Sequence, residues 1–72
     1  MEMTPELTIT LNGVPHPMGA PTRLDQLLAS LGLASKPVVV ELNAQAVFPR
    51  DYPQTDVLPG ARIEIVTLAA GG

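Results

Sequence analysis

The sequence predicts an α+β domain: a mixed four- to five-stranded sheet with one main helix packed across one face. Three observations predict it. Leu24, Leu27, Leu28 and Leu31 fall at i, i+3, i+4 and i+7, a single apolar stripe of helical period. Residues 6–11, 38–43 and 61–68 carry the period-two alternation or β-branched enrichment of strands. None of the eight prolines falls in the helix or in the 38–43 and 61–68 runs, so the local signals agree on one architecture.

In chain order, Glu6-Leu7-Thr8-Ile9-Thr10-Leu11 alternates and points Leu7, Ile9 and Leu11 inward. Asn12-Gly13 tolerates the positive φ of a tight hairpin turn, so residues 14–18 return as a second strand. Pro15 and Pro17 remove donors on one side of it, which makes it an edge strand. Gly19-Ala20-Pro21 breaks the pattern, and Thr22 followed three residues later by Asp25 has capping-box spacing at the helix start. Gly32 stands where a left-handed C-cap is wanted.

Lys36-Pro37 bounds the next strand, in which Val38, Val40 and Leu42 share a face. Asn43-Ala44-Gln45 turns into a short strand at residues 46–48, and residues 49–53 are too proline-bound for more than a turn or a single 3₁₀ turn. Leu58-Pro59-Gly60 is a further turn. From Ala61 the chain alternates and then becomes apolar on both sides, as a strand inside a sheet does. In this register Val39, Val66 and Leu68 lie on the face away from the helix, where an apolar patch on so small a protein marks a partner-binding surface.

Composition narrows the function. Seventy-two residues make a single domain, residues 1–72, which buries only about 60% of the surface its unfolded chain exposes. A net charge of −3 with Phe48 and Tyr52 as the only aromatics speaks against a nucleic-acid surface. The absence of cysteine removes disulfides, thiolate nucleophiles and thiolate metal sites together. No basic-then-apolar leader and no run near the ~20 apolar residues of a membrane span are present, so no membrane contact and a cytoplasmic location are expected. The lone His16 sits between prolines on the edge strand, where a solvated ring is expected rather than a base or metal ligand. Asp51, Asp56, Glu41 and Glu64 read as solvated faces with no carboxylate pair among them, so neither a catalytic residue nor a metal site is assigned.

Leu68-Ala69-Ala70-Gly71-Gly72 is the stretch with chemical promise. Glycine has no Cβ and lies against surfaces that would clash with a side chain, so residues 69–72 are expected to form a flexible tail able to thread a narrow channel. An α-carboxyl ordinarily titrates at roughly 3.3 to 3.7, so a carboxylate on Gly72 is expected to be ionised at pH 7, a poor electrophile that needs activation. Nothing in the chain has the form G-x-x-x-x-G-K-[ST], so ATP would have to be bound by a partner.

These pieces together resemble the ThiS family, the sulfur carriers of thiamine biosynthesis, which have a ubiquitin-like β-grasp fold. The resemblance covers nearly the whole chain through Leu42-Asn43, Val47-Phe48-Pro49-Arg50 with Tyr52, Leu58-Pro59-Gly60, Ile63-Glu64-Ile65-Val66-Thr67 and Gly71-Gly72. Ala61 departs from the family's usual Asp, and Tyr52 often corresponds to Trp. The resemblance implies that Gly72 is adenylated by a ThiF-like enzyme using ATP-Mg and converted to a thiocarboxylate by a sulfur donor protein. The sulfur would then pass to a ThiG-like thiazole synthase, Gly71, Ala70 and Ala69 threading the partner's active site. The chain would be a co-substrate and bind no cofactor itself. Two relatives in fold remain alternatives: the small subunit of molybdopterin synthase, which usually shows an aromatic-proline stretch before its glycines, and a ubiquitin-like modifier that conjugates through Gly72.

Overall fold

The computed structural model describes residues 7–68. The chain forms β1 (Thr8–Leu11), β2 (Val14–Pro17), β3 (Thr22–Arg23), α1 (Leu24–Ser30), β4 (Val38–Leu42), β5 (Gln45–Val47), a 3₁₀ helix (Pro49–Gln54), β6 (Asp56–Val57) and β7 (Arg62–Thr67). Five strands make one sheet in the order β2-β1-β7-β4-β5, while β3 and β6 pair separately. In the large sheet β1 and β7 run parallel and the other neighbours antiparallel. This is the ubiquitin-like β-grasp arrangement, with β2 and β5 at the edges and β7 at the centre.

The helix has only seven residues, far below the ~12–15 at which an isolated helix begins to hold in water, so packing sustains it. Leu24, Leu27 and Leu28 are buried, and they meet Ile9, Val40, Ile63 and Ile65 from the sheet in one core. Leu31, the fourth residue of the stripe, packs half-buried against that core. Gly32, at φ 76, then ends the helix in a Schellman motif: its N–H donates to Ala29 O at 3.0 Å and that of Leu33 to Leu28 O at 2.8 Å.

The helix start differs from the expected box. Thr22 lies one residue too early, in β3, because residues 22–23 pair with residues 56–57. The capping acceptor is Gln26, whose Oε1 takes the Arg23 N–H at 3.4 Å and the Thr22 hydroxyl at 3.0 Å; Asp25 Oδ1 instead accepts the Gln26 N–H at 2.9 Å. A longer side chain reaches back over the turn that Asp25 cannot span. Ala61 also differs from a surface position: it is buried in the core, which suits a methyl better than a carboxylate.

Both hairpins use left-handed residues. Asn12 and Gly13 have φ of 51 and 82, and Asn43 and Ala44 of 51 and 71, the sign of φ that tight two-residue hairpin turns need. The second turn places β5 at residues 45–47, one residue before the predicted 46–48.

Candidate functional site

Residues 69–72, on which Gly72 and the threading residues Gly71, Ala70 and Ala69 fall, lie outside the described residues. The structure does describe what leads to them. β7 runs up the middle of the sheet, and Leu68 continues its pairing by donating its N–H to Pro37 O at 2.9 Å.

Two turn asparagines complete the edges of this strand. β1 ends at Leu11, yet Asn12 Oδ1 accepts the Ile65 N–H at 2.7 Å and Asn12 Nδ2 donates to Ile65 O at 3.1 Å. The side-chain amide thus stands in for one more residue of β1. Asn43 acts similarly at the start of β7: its Oδ1 accepts the Arg62 N–H at 2.9 Å, and its own N–H donates to Arg62 O at 2.7 Å. Sequence reasoning read both residues only as turn formers.

On the face away from α1 the strands present a row of apolar side chains. Val39 lies opposite Val66 in the β4–β7 ladder, and Leu68, one residue past the end of β7, comes two residues after Val66. The β4–β5 register, continued one pair past Val40 and Val47, brings Phe48 to the other side of Val39. All four are exposed, with Phe48 at 59% and Val66 at 58%. The sequence places Val39, Val66 and Leu68 on this face; the ladder puts Val39 and Val66 there, and Leu68 is exposed just past the strand. The sequence misses Phe48, whose side is set by the register of the β4–β5 hairpin. The Arg50 guanidinium lies 5.8 Å from the Phe48 ring centroid, within cation–π range.

The remaining candidates are quiet. His16 is half-buried on the edge strand opposite Ile9, and no group of three or more potential metal-ligating side chains occurs among the described residues. Asp56 pairs with Arg23 at 3.4 Å, both well exposed. No helix among the described residues is long and apolar enough to cross a membrane.

Tyr52 is the one polar oddity. It lines, with Ala34, Lys36, Pro37, Val38, Pro49 and Leu68, a cleft of about 440 Å³ beside the end of β7. Its hydroxyl is buried without a hydrogen-bond partner, and burial raises its pKa above the ordinary 10.0. The phenol therefore ionises sooner in the unfolded chain, and stability is held below pH 10 and falls as pH rises past it. Tyr52→Phe is expected to equal or exceed the parent's stability at pH 7, by up to about 1 kcal/mol, since it removes an unpartnered hydroxyl. It should also flatten the alkaline decline, and urea midpoints measured at pH 7 and above pH 10 check both. A variant whose alkaline decline matched the parent's would place the cause elsewhere.

The ThiS family model matches residues 9–72. The sulfur carrier protein ThiS of Thermus thermophilus is 34% identical over 64 residues, covering 89% of this chain and 98% of that protein. A thiazole synthase from Paramagnetospirillum magneticum is 33% identical over 66 residues, which are 92% of this chain and 20% of the relative. The chain thus spans about a fifth of the length of the thiazole synthases it matches. Among solved structures, the crystal structure of the thiamine biosynthesis protein ThiS from Geobacter metallireducens superposes with a TM-score of 0.78 at 31% identity, covering 90% of this chain and 99% of that one.

Proposed function

The chain belongs to the ThiS family, sulfur carriers of thiamine biosynthesis, and from that premise we propose that Gly72 is its sulfur-bearing residue. In the proposed cycle a Gly72 carboxylate oxygen attacks the α-phosphorus of ATP on a ThiF-like enzyme, and pyrophosphate leaves. Sulfide-level sulfur supplied by a donor protein then attacks the acyl carbon, the C–O bond to AMP breaks, and AMP leaves a thiocarboxylate behind. A ThiG-like thiazole synthase takes that sulfur for the thiazole ring. The folded body contributes no catalytic group. It presents the tail from β7 and offers partners the Phe48–Val39–Val66–Leu68 face. All of this chemistry belongs to the cytoplasm in this reading.

The observation that carries the reading is that the family match runs from Ile9 in β1 through Gly71-Gly72. The thiazole synthases that contain a matching segment support that enzyme as a partner. The test is intact mass after incubation with an adenylating enzyme, ATP and sulfide, beside a variant lacking Gly72. A gain equal to one oxygen-to-sulfur exchange, absent from the variant, is expected. No gain, with the enzyme active on another carrier, would sink the proposal.

Leu68→Asp separates the face from the fold. Leu68 is 48% exposed, so the variant should keep the parent's circular dichroism. Its affinity for the thiazole synthase should fall by about tenfold or more, as loss of an apolar interface contact plus an unpaired buried charge implies. Loss of the folded signal would show that Leu68 belongs to the core.

A further inference from the structure

Next to the apolar row the same face carries a charge arrangement that folding does not favour. Glu41 and Glu64 sit directly opposite each other across β4 and β7, two pairs along from Val39 and Val66 and so on the same face. Both are exposed. Like charges directly opposite in an antiparallel ladder destabilise it. Arg62 lies two residues along β7 on this face, yet Arg23–Asp56 is the only ion pair among the described residues. Sequence reasoning finds no such pair, because the two glutamates are 23 positions apart and meet only through the register.

We infer that Glu41 and Glu64 together receive one arginine or lysine side chain of the thiazole synthase while Phe48, Val39, Val66 and Leu68 take up its apolar surface. This rests on the sulfur-carrier reading given above. The charge selects the occupant. A second copy of this chain, itself at −3, would bring four carboxylates into one interface, which costs several kcal/mol in any close juxtaposition. A cation between the two carboxylates removes their repulsion and pairs both. The acidic pair therefore keeps the apolar row from self-association and favours a basic partner.

The test is the dissociation constant between the full chain and thiazole synthase, by calorimetry at low and high salt, for the parent and for Glu41→Gln/Glu64→Gln. The double variant should melt about 2–5 °C higher, through relief of the like-charge pair. It should bind about five- to tenfold more weakly at low salt and lose most of the salt dependence. Glu41→Lys/Glu64→Lys should weaken binding further. Unchanged affinity and salt slope in the double glutamine variant, with the parent binding, would overturn the inference and leave the carrier reading standing. Failure of the parent to bind in either salt would sink the partnership and the inference with it. Concentration-dependent dimerisation of the parent, abolished by Val66→Asp, would put a second copy on this face and overturn the proposal.

Discussion

Ile63→Ala is expected to bring the domain to the edge of unfolding. Ile63 is fully buried at the centre of the sheet, on β7, with β4 on one side and β1 on the other. A large-to-small change at such a site costs about 2–5 kcal/mol, the loss of transfer free energy plus the cavity left behind. A chain of this length holds about 4–11 kcal/mol in total. The melting midpoint should therefore drop by about 8–40 °C, at roughly 4–8 °C per kcal/mol for so small a domain. Val39→Ala, on the opposite face of the neighbouring strand and 46% exposed, should cost only a small fraction of this. Equal costs in the two variants would mean that the sheet faces are assigned the wrong way round.

Asn12→Ala comes second, at about 2–4 kcal/mol, and its two components can be separated. The amide makes two hydrogen bonds to Ile65, each worth about 1 kcal/mol net. The backbone holds φ at 51, where alanine carries a penalty of about 1–2 kcal/mol that glycine escapes. Asn12→Gly should thus lose the bonds alone, about 1–2 kcal/mol, and Asn12→Ala should add the strain. Urea midpoints of the three proteins check the split. An Asn12→Gly variant as stable as the parent would show that water replaces the amide at Ile65 without loss.

What the sequence disclosed depended on whether a signal was local. The leucine stripe, Asn12-Gly13, Gly32 and the alternation in residues 6–11 each act within a few residues, and they appear in the structure where they were read, the strand over Thr8–Leu11. The β3–β6 pairing joins Thr22–Arg23 to Asp56–Val57, two residues from each of two proline-flanked stretches, and leaves no periodicity to find. The outer face shows the same division. Val39, Val66 and Leu68 are placed by strand parity alone. Phe48 beside Val39, and Glu41 against Glu64, depend on how one strand is registered on another, which the turns at Asn12 and Asn43 fix only after folding. The side chains of those asparagines closing the edges of β7 are likewise tertiary facts, invisible in a dipeptide chosen for its φ. The proposed carrier chemistry was legible for a different reason: in that reading it resides in Gly72 and needs no side chain to be positioned.

The placement of β7 also has a mechanical meaning. A partner that draws the residues after Leu68 into a narrow channel pulls along the axis of the central strand. The Asn12 and Asn43 amides, the β4 ladder and the short parallel pairing with β1 all cross that axis, so traction loads them together in shear. An edge strand under the same pull from its end could be peeled away one bond after another. With β7 at the middle of the sheet, the domain can serve as an anchor against a pull applied beyond Leu68.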